Sequence, residues 1–299
     1  MMSTLTTEPA GTNAVKPIDE RCLQCFLRTY NRLFDKFEVK QKTRDRFFGF
    51  FDIAWKQNAH LPAPQIQQLL NAEFGRLVGQ GDPFFTEKKE NNAIALELYK
   101  IIKPQVQLSS DSFLMALRLA IAGNVMDYGA HSSFDINETI DKALKTSFAI
   151  DHSVELKSRI STAKNILYLG DNAGEIVFDK LFIETMMHNH VTFAVRGKPI
   201  LNDVTLEDAE TVCMSLVADV VSNGSGNPST VLSSCSVDFY EEFRKADLII
   251  SKGQGNLEGL IDLNDNRIFF LLMAKCDVIA ERLGVEKGSF NVFNPQKMQ

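Results

Sequence analysis

Residues 167–184, LYLGDNAGEIVFDKLFIE, run from an apolar stretch through a glycine turn into a helical pattern, the usual build of an anion-binding loop. The centre of this one is Asp171-Asn172, with Glu175 close behind, and a carboxylate there would repel an anion. Three further loops in the same half carry polar residues beside glycines. RGKPILND holds Asn202 and Asp203, SNGSGNPST holds Asn223 and Gly224, and SKGQGN holds Lys252 and Gly253. Oxygen donors without histidine or thiolate suit a hard divalent cation such as Mg²⁺ or Mn²⁺ rather than zinc. A lysine followed by Gly-Gln-Gly sets a cation beside exposed backbone amides, which suits a phosphate.

Each of these residues also has a plainer explanation. Asp171 or Asn172 could cap a helix opening near Ala173, and Asn202, Asp203 or Asp208 could cap the next one. Gly-Ser-Gly is ordinary turn chemistry as well as a second anion nest. Capping accounts for one polar residue per helix and leaves the second acid and the lysine unexplained, so the joint pattern favours a metal and phosphate site. Ser225 lacks the strand-turn-helix setting of a nucleophile elbow and a histidine partner, which argues against serine hydrolysis. Cys22 and Cys25 form a single CxxC with no second pair. On a helix they share a face and are expected to pack as small hydrophobes, with a second metal or a redox pair as the alternatives. The five histidines show no HExxH spacing and are not catalytic candidates.

The loops follow short apolar runs of strand length: NILYLG (165–170), VTFAVR (191–196), ADVVSN (218–223), ADLIIS (246–251) and RIFFLLM (267–273). Runs this apolar suit strands buried on both faces, and EIVFDKLFIETMMHN and TLEDAETVCMSL suit the crossover helices between them. In such sheets ligands bind at the carboxyl ends of the strands, where all four loops lie. From Asp19 to Ala163 the signals are helical, with breaks near Leu61-Pro62, Gly81-Asp82-Pro83 and Lys103-Pro104. The expected architecture is α/β: a disordered tail over 1–18, an all-helical domain over 19–163, and a Rossmann-like domain with a mainly parallel sheet over 164–299.

With 299 residues, 44% of them hydrophobic and 23% charged, the chain has the composition of a globular protein with a substantial core. A formal net charge of -6 argues against a broad interface with nucleic acid or an anionic membrane. The first twenty residues lack the basic and apolar segments of a secretion signal, and FLMALRLAIA is too short to span a bilayer. The default expectation is a cytoplasmic location. Apart from the CxxC, the cysteines are scattered, which is no disulfide framework.

GDNAGEIVFDK, RGKPILND, SNGSGNPST and ADLIISKGQGN, in this order, resemble the DUF89 family, also called the damage-control phosphatase ARMT1-like family. CLQCFLRTY, GDPFFTEKKENNAIALELY and ALRLAIAGNVMDYGA resemble its microbial branch with an N-terminal CxxC. The resemblance runs from Cys22 to about Phe293. It implies a divalent metal (Mn²⁺, Mg²⁺, Co²⁺ or Ni²⁺) between the two domains and hydrolysis of phosphate monoesters on small metabolites such as sugar phosphates. Carried over by motif, the metal ligands are Asp171, Asn172 and Asp203, and Lys252 contacts phosphate. Catalytic work is then expected of Asp171, Glu175 and Lys252. Phosphate or substrate contacts are expected of Lys252, Gly253, Asn223, Gly224, and Asn124 and Asp127 from the helical side.

A cation between a carboxylate and a phosphate reverses the sign of their interaction, which explains the acid at Asp171. Water is the expected nucleophile, with Glu175 to orient it or act as base, because the DxDx pattern of haloacid-dehalogenase phosphatases is absent; direct attack by Asp171 is the variant. Other functions compete with this one, among them a structural scaffold that uses the CxxC for zinc or redox sensing. Methyl transfer from S-adenosylmethionine wants a glycine-rich loop where GDNAGE has Asp-Asn, and a non-catalytic sensor of a phosphorylated ligand would need nearly the same residues.

Overall fold

The helical periodicity up to residue 123 becomes five helices in the computed structural model, which describes residues 18–79, 81–123 and 145–297. They are α1 (Glu20–Lys36), α2 (Gln41–Gln57), α3 (Ala63–Val78), α4 (Phe85–Leu108) and α5 (Ser112–Ala122). Helices α1 to α3 enclose a core of their own, in which Phe34, Phe47, Phe51, Phe74 and Tyr30 are fully or almost fully buried. Tyr30 donates its hydroxyl to Asn71 at 2.9 Å, so the ring is buried without stranding its polar end.

Helices α4 and α5 do not share that core. Leu98, Ile102, Leu117 and Ile121 pack into the cluster that covers one face of the sheet. Pro104, expected to end a helix, lies inside α4. A proline within a helix removes a hydrogen bond and costs about 3 kcal/mol. Here Ile102 and Val106 on either side of it are buried against the sheet cluster, and that packing carries the helix on to Leu108.

Among the described residues seven strands follow, in the order β1-β7-β6-β5-β2-β3-β4. They are β1 (Phe148–Asp151), β2 (Ile166–Leu169), β3 (Val191–Val195), β4 (Asp219–Ser222), β5 (Leu248–Lys252), β6 (Ile268–Met273) and β7 (Phe290–Phe293). All pairings are parallel except β6 with β7. The sequence reading missed β1 and β7, because FAID and FNVF are four-residue runs with a polar residue each, too short to stand out without their partners. The sheet therefore begins at Phe148, ahead of the expected boundary at 164.

Alternate residues part to opposite faces. Ile166 and Tyr168 join the cluster holding α4, α5 and α7 (Glu175–Met186), whereas Leu167 and Leu169 join the one holding α9 (Val237–Lys245), α10 (Gly253–Leu260) and α11 (Asp277–Leu283). Two further helices, α6 (Ser153–Thr162) and α8 (Leu206–Thr211), lie on the first face. Strand order reverses between β2 and β5, and the helices that leave these strands, α7 and α10, go to opposite faces. This opens the crevice in which open α/β sheets bind ligands. No helix among the described residues is long and apolar enough to cross a membrane.

Candidate active site

Local structure first decides between capping and chemistry. The N-cap of α7 is Gly174, at φ 78, and no side chain caps it. The N-cap of α8 is Thr205, which forms a reciprocal capping box with Asp208. Neither Asp171, Asn172 nor Asp203 caps a helix, so the plainer explanation falls away for all three.

The backbone then draws two of the loops together. Val204 donates its N–H to the Asp171 carbonyl at 2.9 Å and Ala173 donates to the Asn202 carbonyl at 2.9 Å. Asn172 and Asp203 form an isolated antiparallel bridge. Asp171 and Asp203 are 7% and 4% exposed. Asn172 donates Nδ2 to Asp171 Oδ2 at 2.7 Å and to Glu175 Oε2 at 3.1 Å. Across β5, a Cβ added at Gly253, whose φ is 76, would fall on the Asp171 carboxylate. The start of α10 thus closes over the same point.

Two buried cations serve this acidic cluster. Arg196, at the end of β3, donates Nε to Asp203 Oδ2 at 2.7 Å and Nη1 to Asn256 Oδ1 at 3.0 Å. Its Nη2 makes no hydrogen bond and lies 3.9 Å from Asp171 Oδ1. Lys252 is 0% exposed, and its ammonium meets Glu175 Oε1 and Asp179 Oδ1, each at 2.5 Å, and the Ala120 carbonyl at 2.7 Å. Tyr168 donates its hydroxyl to Asp179 at 2.7 Å. Lys252 was expected to project toward phosphate, but three acceptors already surround its ammonium.

Burial pushes the Glu175 carboxyl up to about 7, against the lowering pull of Lys252. It pushes Asp203 to about 7 as well, against the pull of Arg196 and with Asp171 adding to the rise. Asp179 is raised by burial too. Burial works against the charge on Lys252, yet Asp179 and Glu175 together raise it above the ordinary lysine value.

The damage-control phosphatase ARMT1-like domain model matches residues 18–290 of the chain. The chain belongs to this family. It is 40% identical over 278 residues to the damage-control phosphatase of Pyrococcus horikoshii, covering 91% of this chain and 96% of that protein. It is 33% identical over 236 residues to the damage-control phosphatase of Archaeoglobus fulgidus, covering 77% and 80% of the two chains. The crystal structure of a DUF89 family protein from Pyrococcus horikoshii superposes with a TM-score of 0.87 at 35% sequence identity, covering 93% of this chain and 99% of that one.

As an ARMT1-like chain it is expected to hold a divalent cation, and its own residues fit one. Once ionised, the four buried carboxylates (Asp171, Glu175, Asp179 and Asp203) face two buried cations (Arg196 and Lys252), an excess of two negative charges. That is the charge a divalent ion would balance. Among the described residues no group of three or more His, Cys, Asp or Glu is placed to hold a metal. A cation here would rest on Asp171 and Asp203, with the Asn172 Oδ1 as third donor, its Nδ2 being already committed.

Other expected residues stand differently. Asn223 accepts at Oδ1 from the N–H groups of Gly197 (3.1 Å) and Ser225 (2.9 Å). The Gly224 N–H is bound by Ser222 Oγ at 3.1 Å, so this loop spends those amides internally and is no open anion nest. Asn124 and Asp127 lie outside the described residues. Cys22 is half-buried and Cys25 exposed, and neither joins the α1–α3 core, contrary to the packing expectation. Burial, with Glu258 and Asp19 nearby, pushes the Cys22 thiol up to about 12.

Arg196, Asp179 and Asn256 went unnoticed in the sequence. Arg196 ends an apolar strand, the same signal that drew notice to Lys252. Asp179 is an acid within the otherwise apolar EIVFDKLFIE, one turn after Glu175 and on the same helical face. Asn256 accepts from Arg196 and donates to the Gly170 and Lys252 carbonyls at 3.1 and 2.9 Å, tying the ends of β2, β3 and β5 together.

Proposed function

We propose that this chain is a divalent-metal-dependent phosphatase that hydrolyses phosphate monoesters of small metabolites. The phosphatase class comes with membership of the family and with relatives named damage-control phosphatases, which also support damaged or surplus phosphometabolites as the substrate class. The observation that carries the site is the bridge between Asn172 and Asp203, which draws Asn172 together with the buried Asp171 and Asp203, none of them with capping work to do.

A divalent cation held by these three residues would draw charge from phosphoryl oxygens and acidify a neighbouring water. The protein supplies the rest. Arg196 keeps Asp203 oriented through Nε and directs its unbonded Nη2 toward the same place, a donor for a phosphoryl oxygen. The first N–H groups of α10, beginning at Gly253, add the positive end of a helix beside Asp171. Glu175 accepts the proton of the attacking water, and its carboxyl, poised near 7, suits a general base at neutral pH. Lys252 holds Glu175 and Asp179 in place instead of gripping phosphate.

Phosphate release from p-nitrophenyl phosphate and a sugar-phosphate panel, measured with Mn²⁺, Co²⁺, Ni²⁺ or Mg²⁺, tests the reading. The expected result is metal-dependent release that falls to background in Asp171→Ala. Release unaffected by that substitution would refute the site, and no release on any substrate would favour the sensor.

A further inference from the structure

We propose that Asn92, on α4, is a positioning residue for the metal site: one side chain of the helical part sets the placement of both loops that carry the ligands. The inference rests on the metal reading above and adds a residue outside every motif that suggested it.

Asn92 is fully buried and uses both ends of its amide. Its Oδ1 accepts the Gly174 N–H at 2.7 Å, and its Nδ2 donates to Asp208 Oδ1 at 3.1 Å. Gly174 directly follows Ala173, whose own N–H is bound by the Asn202 carbonyl. Fixing the peptide between Ala173 and Gly174 therefore fixes the exit of the Asp171-Asn172 turn. Asp208 in turn accepts at Oδ2 from the Thr205 N–H (2.9 Å) and hydroxyl (2.8 Å), which sets the backbone two residues past Asp203.

The far end of this line is also anchored. Lys88, one turn before Asn92 on the same face of α4, meets Asp208 Oδ2 at 3.0 Å and Asp82 Oδ2 at 2.9 Å, with its side chain 4% exposed. The Asp82 carboxylate accepts the Phe84 N–H at 2.9 Å, at the entry to α4. A rigid helix thus grips both loops through buried, fully partnered groups. Partners of this kind set the geometry of metal ligands without touching the metal.

A buried asparagine that only stabilises the fold would give the same hydrogen bonds, so the test reads metal affinity. Mn²⁺ is titrated into the full chain and the free ion is followed by electron paramagnetic resonance, for the unaltered protein, Asp171→Ala, Asn92→Ala and the pair Asn92→Asp with Asp208→Asn. That pair exchanges donor and acceptor along the same line. Asn92→Ala is expected to weaken Mn²⁺ binding by roughly 10- to 100-fold, and the exchanged pair to recover much of the loss. Should Asn92→Ala fail to fold, Asn92→Ser, which keeps a small polar group in the same space, carries the same comparison. Mn²⁺ affinity unchanged in a folded Asn92 variant would overturn the proposal, whatever its melting temperature. Absence of Mn²⁺ binding by the unaltered chain would instead overturn the metal reading beneath it.

Discussion

Lys252 shows how burial changes what a motif residue does. The sequence places a lysine at the end of an apolar strand, and the structure brings Glu175 and Asp179 to it from α7, together with the Ala120 carbonyl from α5. The two carboxylates come from the segment after β2, more than 70 positions away, and pairing at that distance is decided only by packing. Removing one partner of a buried ion pair leaves an uncompensated charge and costs about 3–5 kcal/mol. Lys252→Met is accordingly expected to lower unfolding stability by about that amount. Adding Asp179→Asn should restore part of it, because one stranded charge is then gone. Urea unfolding of the single and double variants checks this, and equal stability of Lys252→Met and the unaltered chain would show that the network carries little. Asp171, Asn172 and Asp203 were legible as polar residues at strand ends. Arg196 was not singled out, although it ends an apolar strand as Lys252 does.

The strand runs from β2 to β6 were plain because each is apolar on both faces, and period two then splits their side chains between two helical layers. FNVF and FAID carry no such signal and become strands by pairing at the sheet edge. The join of β5 and α10 is the most constrained junction at the site. Gly253 adopts φ 76, which strains any other residue, and it packs on the Asp171 carboxylate. Gly253→Ala would cost about 1–2 kcal/mol from the left-handed backbone alone, and its methyl group would also displace Asp171. The expected outcome is a lowered melting temperature together with weakened Mn²⁺ binding, read by thermal unfolding and metal titration. A stability loss with Mn²⁺ affinity intact would mean that Asp171 does not hold the cation.

For the whole molecule, the acidic cluster makes stability depend on pH in an unusual direction. Glu175 and Asp203 are raised from about 4.5 and 3.8 in the unfolded chain to about 7 when folded. Between those limits the folded state binds more protons than the unfolded one, so stability falls as pH rises. The metal-stripped protein is therefore expected to melt at a lower temperature at pH 8 than at pH 5, with most of the change between about pH 4 and 7. Mn²⁺ should raise the melting temperature more at pH 8, where protons no longer compete for the carboxylates. Thermal unfolding at both pH values, with and without Mn²⁺, tests this. A melting temperature that rises with pH in the stripped protein would show that the cluster is already neutralised.

The α/β class, the four strand-end loops and the polar residues they carry are readable along the chain, because hydrophobic periodicity and turn chemistry are local. Long-range packing decides that Asn172 and Asp203 meet across a bridge, that Lys252 turns inward to Glu175 and Asp179, and that Asn92 reaches Gly174 from the helical part. It also assigned α4 and α5 to the sheet rather than to the aromatic core of α1 to α3. These are contacts between residues far apart in the chain. The free energy of burying charges beside one another depends on the complete packing around them, and no single stretch of sequence contains that packing.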